Sequence, residues 1–366
     1  MGEGIALQVT QLHLKNFRCF SGYTLDIAAP HVFIEGINGA GKTTLLEALH
    51  YACYLRSFRT HIPKELISFG KSDFFIKLSL SDQANNMDHT IQVGFSPTKR
   101  LVKVDQKTIE SYKDLLSHYR VISVTEDDLL LVQSAPHVRR LALDQFMVLL
   151  DPGSGQQLKI YRHIVDQRNA LLQQNPVNTD IYNLLTKQLW DNAKAISYRR
   201  IALLKELESS INSLGATFIP CFDQIQLIYV PKRELGESIE QFRETAGSRL
   251  YQQELRFTRS LFGTHLDDFS IQFQGNYSRL YASRGQQKMI VILFKMAQLK
   301  LLAAMGAPAI CLLDDFMTDF DPGRASSLIE GLVTMGSQLI FTSPVQGGAI
   351  GAQLENLGAQ RSKLTI

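Results

Sequence analysis

Tryptophan occurs once in this chain and cysteine four times. Cys19, Cys53, Cys221 and Cys311 stand far apart with no CxxC pair, so the cysteines provide no metal site. Each lies among apolar residues, and all four are expected to be small buried hydrophobes in a reducing compartment. No segment approaches the ~18 uninterrupted apolar residues of a membrane span, and the opening residues lack the apolar core of a secretory signal. The Met-Gly start is followed by Ala6 where a myristoylation signal needs Ser or Thr. A cytoplasmic protein without membrane contact is expected. Charge of one sign is scarce as well: 38 Lys and Arg against 35 Asp and Glu leave a net +3. That permits an anionic partner without requiring one.

What is present is a large apolar complement, 45% of 366 residues, enough for about two domains or one domain with a large insertion. Up to about residue 135 the pattern is short strands around one helix. Leu7, Val9, Leu12 and Leu14 alternate, as do Tyr23, Leu25 and Ile27. Further strands are expected at 74–80, 90–95, 101–104 and 121–124. From 138 to 262 the period becomes helical. Ile181, Leu184, Leu185, Leu189, Ile196, Leu203 and Leu207 hold it for a helix that would span roughly 45 Å. A strand at 225–230 interrupts this stretch. From 263 the α/β pattern returns, with a helix at 286–304 and strands at 309–313 and 339–342. The expected organisation is an α/β ATPase head in two sequence pieces, 1–137 and 263–366, split by a mainly helical arm at 138–262.

The apolar run Val32-Phe33-Ile34 leads into Gly36-Ile37-Asn38-Gly39-Ala40-Gly41-Lys42-Thr43, which matches GxxxxGK[ST]. The helix-forming pattern starts immediately afterwards, so the motif has the strand–loop–helix context of a phosphate-binding loop. Glycines there let backbone N–H groups turn inward around a phosphate, and the helix N-terminus adds partial positive charge. Lys42 is expected at the β- and γ-phosphates of ATP, Thr43 on Mg²⁺, and Thr44 beside them.

Two further segments extend this site. Cys311-Leu312-Leu313-Asp314-Asp315 is an apolar strand ending in carboxylates, of which Asp314 would hold Mg²⁺ and Asp315 would orient the attacking water. Lys42, Asp314 and Asp315 are therefore the expected catalytic set. Ser283-Arg284-Gly285-Gln286-Gln287-Lys288 reads as a helix N-cap whose Ser283 hydroxyl and the amides near Gly285 and Gln286 face a phosphate. The order of P-loop, SxGQQ segment, acidic strand, Asp321 turn and Thr342 strand end resembles the ABC ATPase family. In that family the signature serine meets the γ-phosphate held by a second subunit. Lys42 and Ser283 stand about 240 residues apart, which leaves room for a domain between them. This spacing is wider than in transporter ATPases and narrower than in SMC proteins.

An intermediate insertion points to the RecF family, and local motifs agree. Leu14-Lys15-Asn16-Phe17-Arg18 is similar to its LxNFR opening, and Ser57-Phe58-Arg59-Thr60 to the arginine-bearing segment after the P-loop helix. Pro136-His137-Val138-Arg139-Arg140 with Leu143-Asp144 resembles PxxRRxxLD. Gln167 to Leu172 resembles QRNxLL, and Ala282 to Gln287 resembles ASRGQQ. Residues 123–129, 263–268 and 314–321 depart from the family's FSPEDL, GPHRDD and DDxxSELD. The resemblance implies a weak DNA-stimulated ATPase that dimerises on ATP at single-strand gaps and ds/ss junctions. It also implies work with RecR to load RecA in replication, repair and the SOS response. An ABC-type ATPase of another DNA-maintenance or transport system is the alternative. Between 138 and 260, sixteen Lys and Arg face thirteen Asp and Glu. Arg139, Arg140, Arg199, Arg200, Lys232, Arg233, Arg249, Arg256 and Arg259 are the candidate DNA-phosphate contacts. Gln133 is a candidate for the glutamine loop.

Overall fold

A computed structural model describes residues 7–83, 85–109, 112–315, 320–343 and 359–364. They form two compact units. The first is drawn from 1–129, 213–222 and 283–366, the second from 130–212 and 223–282.

The first unit begins with β1 (Leu7–Phe17), β2 (Phe20–Asp26), β3 (His31–Glu35) and α1 (Lys42–Tyr54). It continues through β4 (Phe74–Asp82), β5 (Met87–Ser96), β6 (Lys99–Val104), β7 (Lys107–Thr108), α2 (Tyr112–His118) and β8 (Arg120–Val124). The second unit holds α3 (Leu130–Gln133), α4 (Pro136–Leu150), α5 (Ser154–Leu172) and most of α6 (Thr179–Phe218). Then come β9 (Ile225–Val230), α7 (Ile239–Phe257), β10 (Asp268–Phe273), β11 (Asn276–Tyr277) and α8 (Ser278–Tyr281). The chain re-enters the first unit as α9 (Arg284–Ala304), β12 (Ala309–Asp314), α10 (Pro322–Val333), β13 (Leu339–Ser343) and β14 (Gln360–Lys363).

Two sheets make the first unit. One is antiparallel, in the order β2-β1-β4-β5-β6-β7, and the other parallel, in the order β14-β3-β13-β12-β8. In β4 the inward residues Phe74, Ile76, Leu78 and Leu80 alternate with half-buried ones, as a sheet with one packed face requires. β12 is instead buried along its apolar length, the mark of a parallel strand covered on both faces. Leu45, Leu49, Ala52 and Cys53 of α1 are all buried, as their helical spacing implies. The Gln338 amide is completely buried and bonds the backbones of Val9 (2.7 and 2.9 Å) and Ile27 (3.0 Å), so neither its oxygen nor its nitrogen is left unpaired where the two sheets pack.

The cysteine expectation needs correcting. Cys53 and Cys311 are buried, and burial pushes both thiols up to about 12. Cys19 and Cys221 are exposed. Cys19 turns the corner between β1 and β2, and Cys221, at φ 53°, lies in the turn after α6. Turn geometry overrides apolar neighbours at both positions.

In the second unit the long helical period is one helix, α6, of 40 residues. Its Leu189 and Ile196 pack with Tyr161 and Ile164 of α5 and with Phe242 and Leu250 of α7. Ile181 and Leu184, which share that period, are exposed. β10 belongs to this unit because it pairs antiparallel with β9, from Asp268 opposite Val230 to Phe273 opposite Ile225.

A buried ion pair crosses the helices. Arg168 and Glu254 are fully inaccessible and meet at 2.7 Å in a two-pronged contact. Tyr182 Oη donates to Glu254 (2.7 Å), Arg168 donates to Ser260 and Thr186, and the guanidinium lies 4.6 Å from the Tyr182 ring centre. Deleting one partner strands the other's charge. Glu254→Ala is expected to cost about 3–5 kcal/mol. Trp190, the only tryptophan, reports on this unit because it packs in the same core. A urea-unfolding midpoint followed by Trp190 emission should fall sharply in the variant; an unchanged midpoint would show the pair contributes nothing.

Candidate nucleotide site

The parallel sheet explains how residues so far apart in sequence meet. β3, β13, β12 and β8 all run the same way, so their C-terminal ends share one edge. β3 delivers Gly36 to Gly41 at that edge, and α1 starts at Lys42. Gly39 and Gly41 both adopt φ 86°, a conformation a side chain resists. A Cβ at Gly41 would also fall 2.8 Å from the Phe20 ring and 2.9 Å from Cys19 Sγ, because the β1–β2 corner closes on the loop. Gly36 is buried against Leu364, whereas Ile37, Asn38 and Gly39 are exposed on the outer rim and Ala40 faces inward. The buried Lys42 bends back over the loop, its Nζ donating to the carbonyls of Gly36 (2.8 Å) and Ile37 (3.2 Å). Thr44 is buried behind it.

β12 brings Asp314 to the same edge, between β8 and β13. Two hydroxyls converge on its Oδ1: Thr43 Oγ1 at 3.0 Å and Thr342 Oγ1 at 2.8 Å. Thr342 Oγ1 also accepts the Asp315 N–H at 3.2 Å. The register makes this possible, since Thr342 lies opposite both Asp314 and Ile34. Asp315 follows at φ 48°, a left-handed turn that takes its carboxylate out of the strand. Burial raises its pKa; Asp314 and Glu126 push the same way as like charges, against Lys42 and Lys288. The loop, Thr43, Asp314 and Asp315 therefore form one cluster with a cation, a hydroxyl and two carboxylates. An all-oxygen pair such as Thr43 and Asp314 suits a hard cation like Mg²⁺.

Ser283, Gly285 and Gln286 are arranged differently. Ser283 caps α9: its Oγ accepts the Gln286 N–H (3.3 Å), and its own N–H donates to Gln286 Oε1 (2.8 Å). The serine is exposed, and a Cβ placed on Gly285 would meet nothing within 4 Å. Of the 314–321 turn, Asp321 caps α10 through Arg324 N (3.0 Å), while 316–319 lie outside the described residues.

Sequence reasoning missed Thr342 as a partner of Asp314, and it placed Glu126 in the 123–129 segment without giving it a role. Glu126 opens a 3-10 turn after β8 and takes Arg284 Nη2 (3.0 Å) and the buried Lys288 of α9. The acidic cluster at 126–128 after a strand, within the segment set against FSPEDL, was the available signal.

The candidate phosphate contacts of the second unit need pruning. Arg139 is buried in a two-pronged bond to Asp268 (2.8 Å each), and Arg200 in one to Asp144 (2.9 and 3.0 Å). Arg140 donates to the Asp267 carbonyl at 2.5 Å. These three hold the unit together and are withdrawn as DNA ligands. Lys232, Arg249, Arg256 and Arg259 are exposed; Arg233 is half-buried, and Arg199, also exposed, lies 3.5 Å from Asp151. Gln133 is exposed at the end of α3.

Comparison with known proteins decides the family. The AAA domain profile matches residues 11–214. The DNA replication and repair protein RecF of Thermosynechococcus vestitus is 30% identical over 329 residues, covering 87% of this chain and 86% of the relative. The chain belongs to the RecF family. The RecF of Cyanothece sp. is similar at 29% identity over 95% of this chain and 94% of its own length. Among solved structures, the recombination mediator protein RecF with ATPrS superposes with a TM-score of 0.82 at 24% identity, over 94% of both chains. The Smc head domain of Pyrococcus furiosus does so at 0.56 and 14% identity, over 95% of this chain and 92% of its own. The fold of this RecF-family member is thus an ABC/SMC-like P-loop ATPase head.

Proposed function

We propose that this protein is an ATP-dependent DNA-binding protein of replication and recombinational repair that dimerises on ATP. One observation carries the reading. The loop, Lys42, Thr43, Asp314 and Asp315 are assembled together, whereas the Ser283 cap lies exposed and a Cβ on Gly285 would meet nothing within 4 Å among the described residues. A helical glycine costs about 1 kcal/mol relative to alanine, and packing against the described residues does not require this one. A second copy docking there would. Head-to-tail pairing about a two-fold axis then completes two sites, each with the loop of one chain and the Ser283 cap of the other.

In each site Gly36 to Thr44 would cradle the phosphates, Lys42 would bind the β- and γ-oxygens, and Ser283 with the amides at Gly285 and Gln286 would close on the γ-phosphate. Thr43 and Asp314 would hold Mg²⁺, which supplies charge neutralisation at the phosphate oxygens. Asp315 would accept a proton from the attacking water. Its arm is one methylene shorter than glutamate, so slow turnover, a switch stimulated by DNA, fits it best. Relatives named DNA replication and repair protein RecF support DNA as the ligand. In this reading the DNA is a single-strand gap or ds/ss junction, with RecR and RecA downstream in the cytoplasm and the SOS response as context. No helix of the described residues is long and apolar enough to cross a membrane.

Dimerisation doubles the cations facing one duplex, and each neutralised phosphate steepens the salt dependence of binding by about one unit of log–log slope. Gapped-duplex binding titrated against NaCl should be tighter and steeper with Mg·ATP than with Mg·ADP. Identical slopes would overturn the clamp.

A further inference from the structure

Arg284 and Lys288 are four residues apart on α9, hence on one helix face one turn from Ser283. Both cations meet one carboxylate, that of Glu126. Lys288 is completely buried, so its ammonium depends on an acceptor at that spot. Glu126 in turn is referenced to the sheet. It lies two residues beyond Val124, which pairs with Leu313 of β12, immediately before Asp314. The turn that carries it is tied at Asp128, which accepts the Thr125 N–H (2.7 Å) and pairs with Lys295 two turns further along α9 (2.6 Å). Lys295 also donates to the Ser123 carbonyl at 2.8 Å, and Ser123 Oγ meets His50 of α1 at 2.8 Å.

We propose that Glu126 is a positioning residue for the signature serine: it sets the first turn of α9, and with it Ser283, relative to the sheet edge that bears Asp314 and Asp315. The inference rests on the composite-site reading above and deepens it. If Ser283 serves the nucleotide of the other copy, loss of Glu126 must damage the site across the interface. The chain's own site keeps every group that touches its nucleotide.

Mixed dimers of differently tagged chains separate the two locations. Pair Glu126→Gln with Lys42→Ala: the one competent loop belongs to the Glu126→Gln chain and faces an intact Ser283 turn. Its turnover should match that of wild type paired with Lys42→Ala. Pair wild type with the double variant Lys42→Ala/Glu126→Gln: the competent loop now faces the altered turn, and turnover should fall roughly tenfold or more. Glu126→Asp in that double variant should recover part of the loss, since the charge returns. ATP binding by the single Glu126→Gln chain checks its folding, and circular dichroism checks that of the chains carrying Lys42→Ala. A loss that follows the loop of the Glu126→Gln chain, or no loss in either pairing, overturns the proposal. Ser283→Arg replaces Glu126→Gln in a parallel pair; if its loss does not cross the interface either, the composite-site reading is what has failed.

Discussion

Ser283→Arg should leave ATP binding by the single chain within about twofold and abolish the ATP-dependent dimer, with at least a hundredfold loss of the ATP-induced gain in DNA affinity. The serine is exposed and its bonds among the described residues are those of its own cap, so the fold loses little beyond a cap worth about 1 kcal/mol. The ATP-binding groups of the same chain, Lys42 and Thr43 among them, form their contacts elsewhere. Across the interface the consequences are severe. A small hydroxyl and the amides beside it give way to a long guanidinium in a space meant to close on a γ-phosphate. The charge is of the attractive sign, which makes the test demanding, because only shape and cap geometry oppose dimerisation. Light scattering with Mg·ATP and with Mg·ADP measures the dimer, and fluorescent-nucleotide titration measures the single-chain affinity. A variant that dimerises and holds DNA like wild type would remove Ser283 from the site.

Asp315→Asn should retain ATP binding and lose turnover by about a hundredfold or more, the usual contribution of a general base. The substitution isolates charge from shape. Asparagine is isosteric and is among the few residues at ease with positive φ, so the left-handed turn at φ 48° is kept. The pH profile offers a second reading. Asp315 acts only when ionised, and burial raises its pKa above the ordinary 3.8. Turnover should therefore fall as pH drops through that raised value, giving an acid limb displaced upward from an ordinary aspartate's. In the Asp315→Asn protein the residual rate should lack this limb. Unchanged turnover would exclude Asp315 from the chemistry, and an unshifted limb in wild type would exclude its environment as the cause.

Hydrogen bonds that close within a few residues were legible in the sequence. The turn from β3 into α1 needs glycine where φ reaches 86°, and Gly39 and Gly41, just ahead of Lys42 and Thr43, record that need. The cap of α9 is a reciprocal bond between Ser283 and Gln286, three residues apart, and the string SRGQQ encodes it directly. β12 could be read because a strand covered on both faces must be apolar until it reaches the edge, where Asp314 and Asp315 begin. The short strands β11 and β14 left no such trace. β14 is Gln360–Lys363, polar throughout, and it joins the sheet through its backbone alongside β3.

Only the tertiary structure decided which side chains share a partner. Thr342 and Thr43 reach the same oxygen of Asp314 from positions 28 and 271 residues away, because β13 lies next to β12 in the sheet and β3, on the far side of β13, leads into α1 at that same edge. Arg139 and Arg200 looked like their exposed counterparts in a basic stretch until Asp268 and Asp144 were found within 3.0 Å of them. Glu126 gained its meaning in the same way, from a lysine 162 residues later that has no water to turn to. Composition and periodicity state that a charge exists and which face of an element carries it. Its partner is set by strand order and helix packing, which bring distant segments to one edge and strip the solvent that would otherwise screen them.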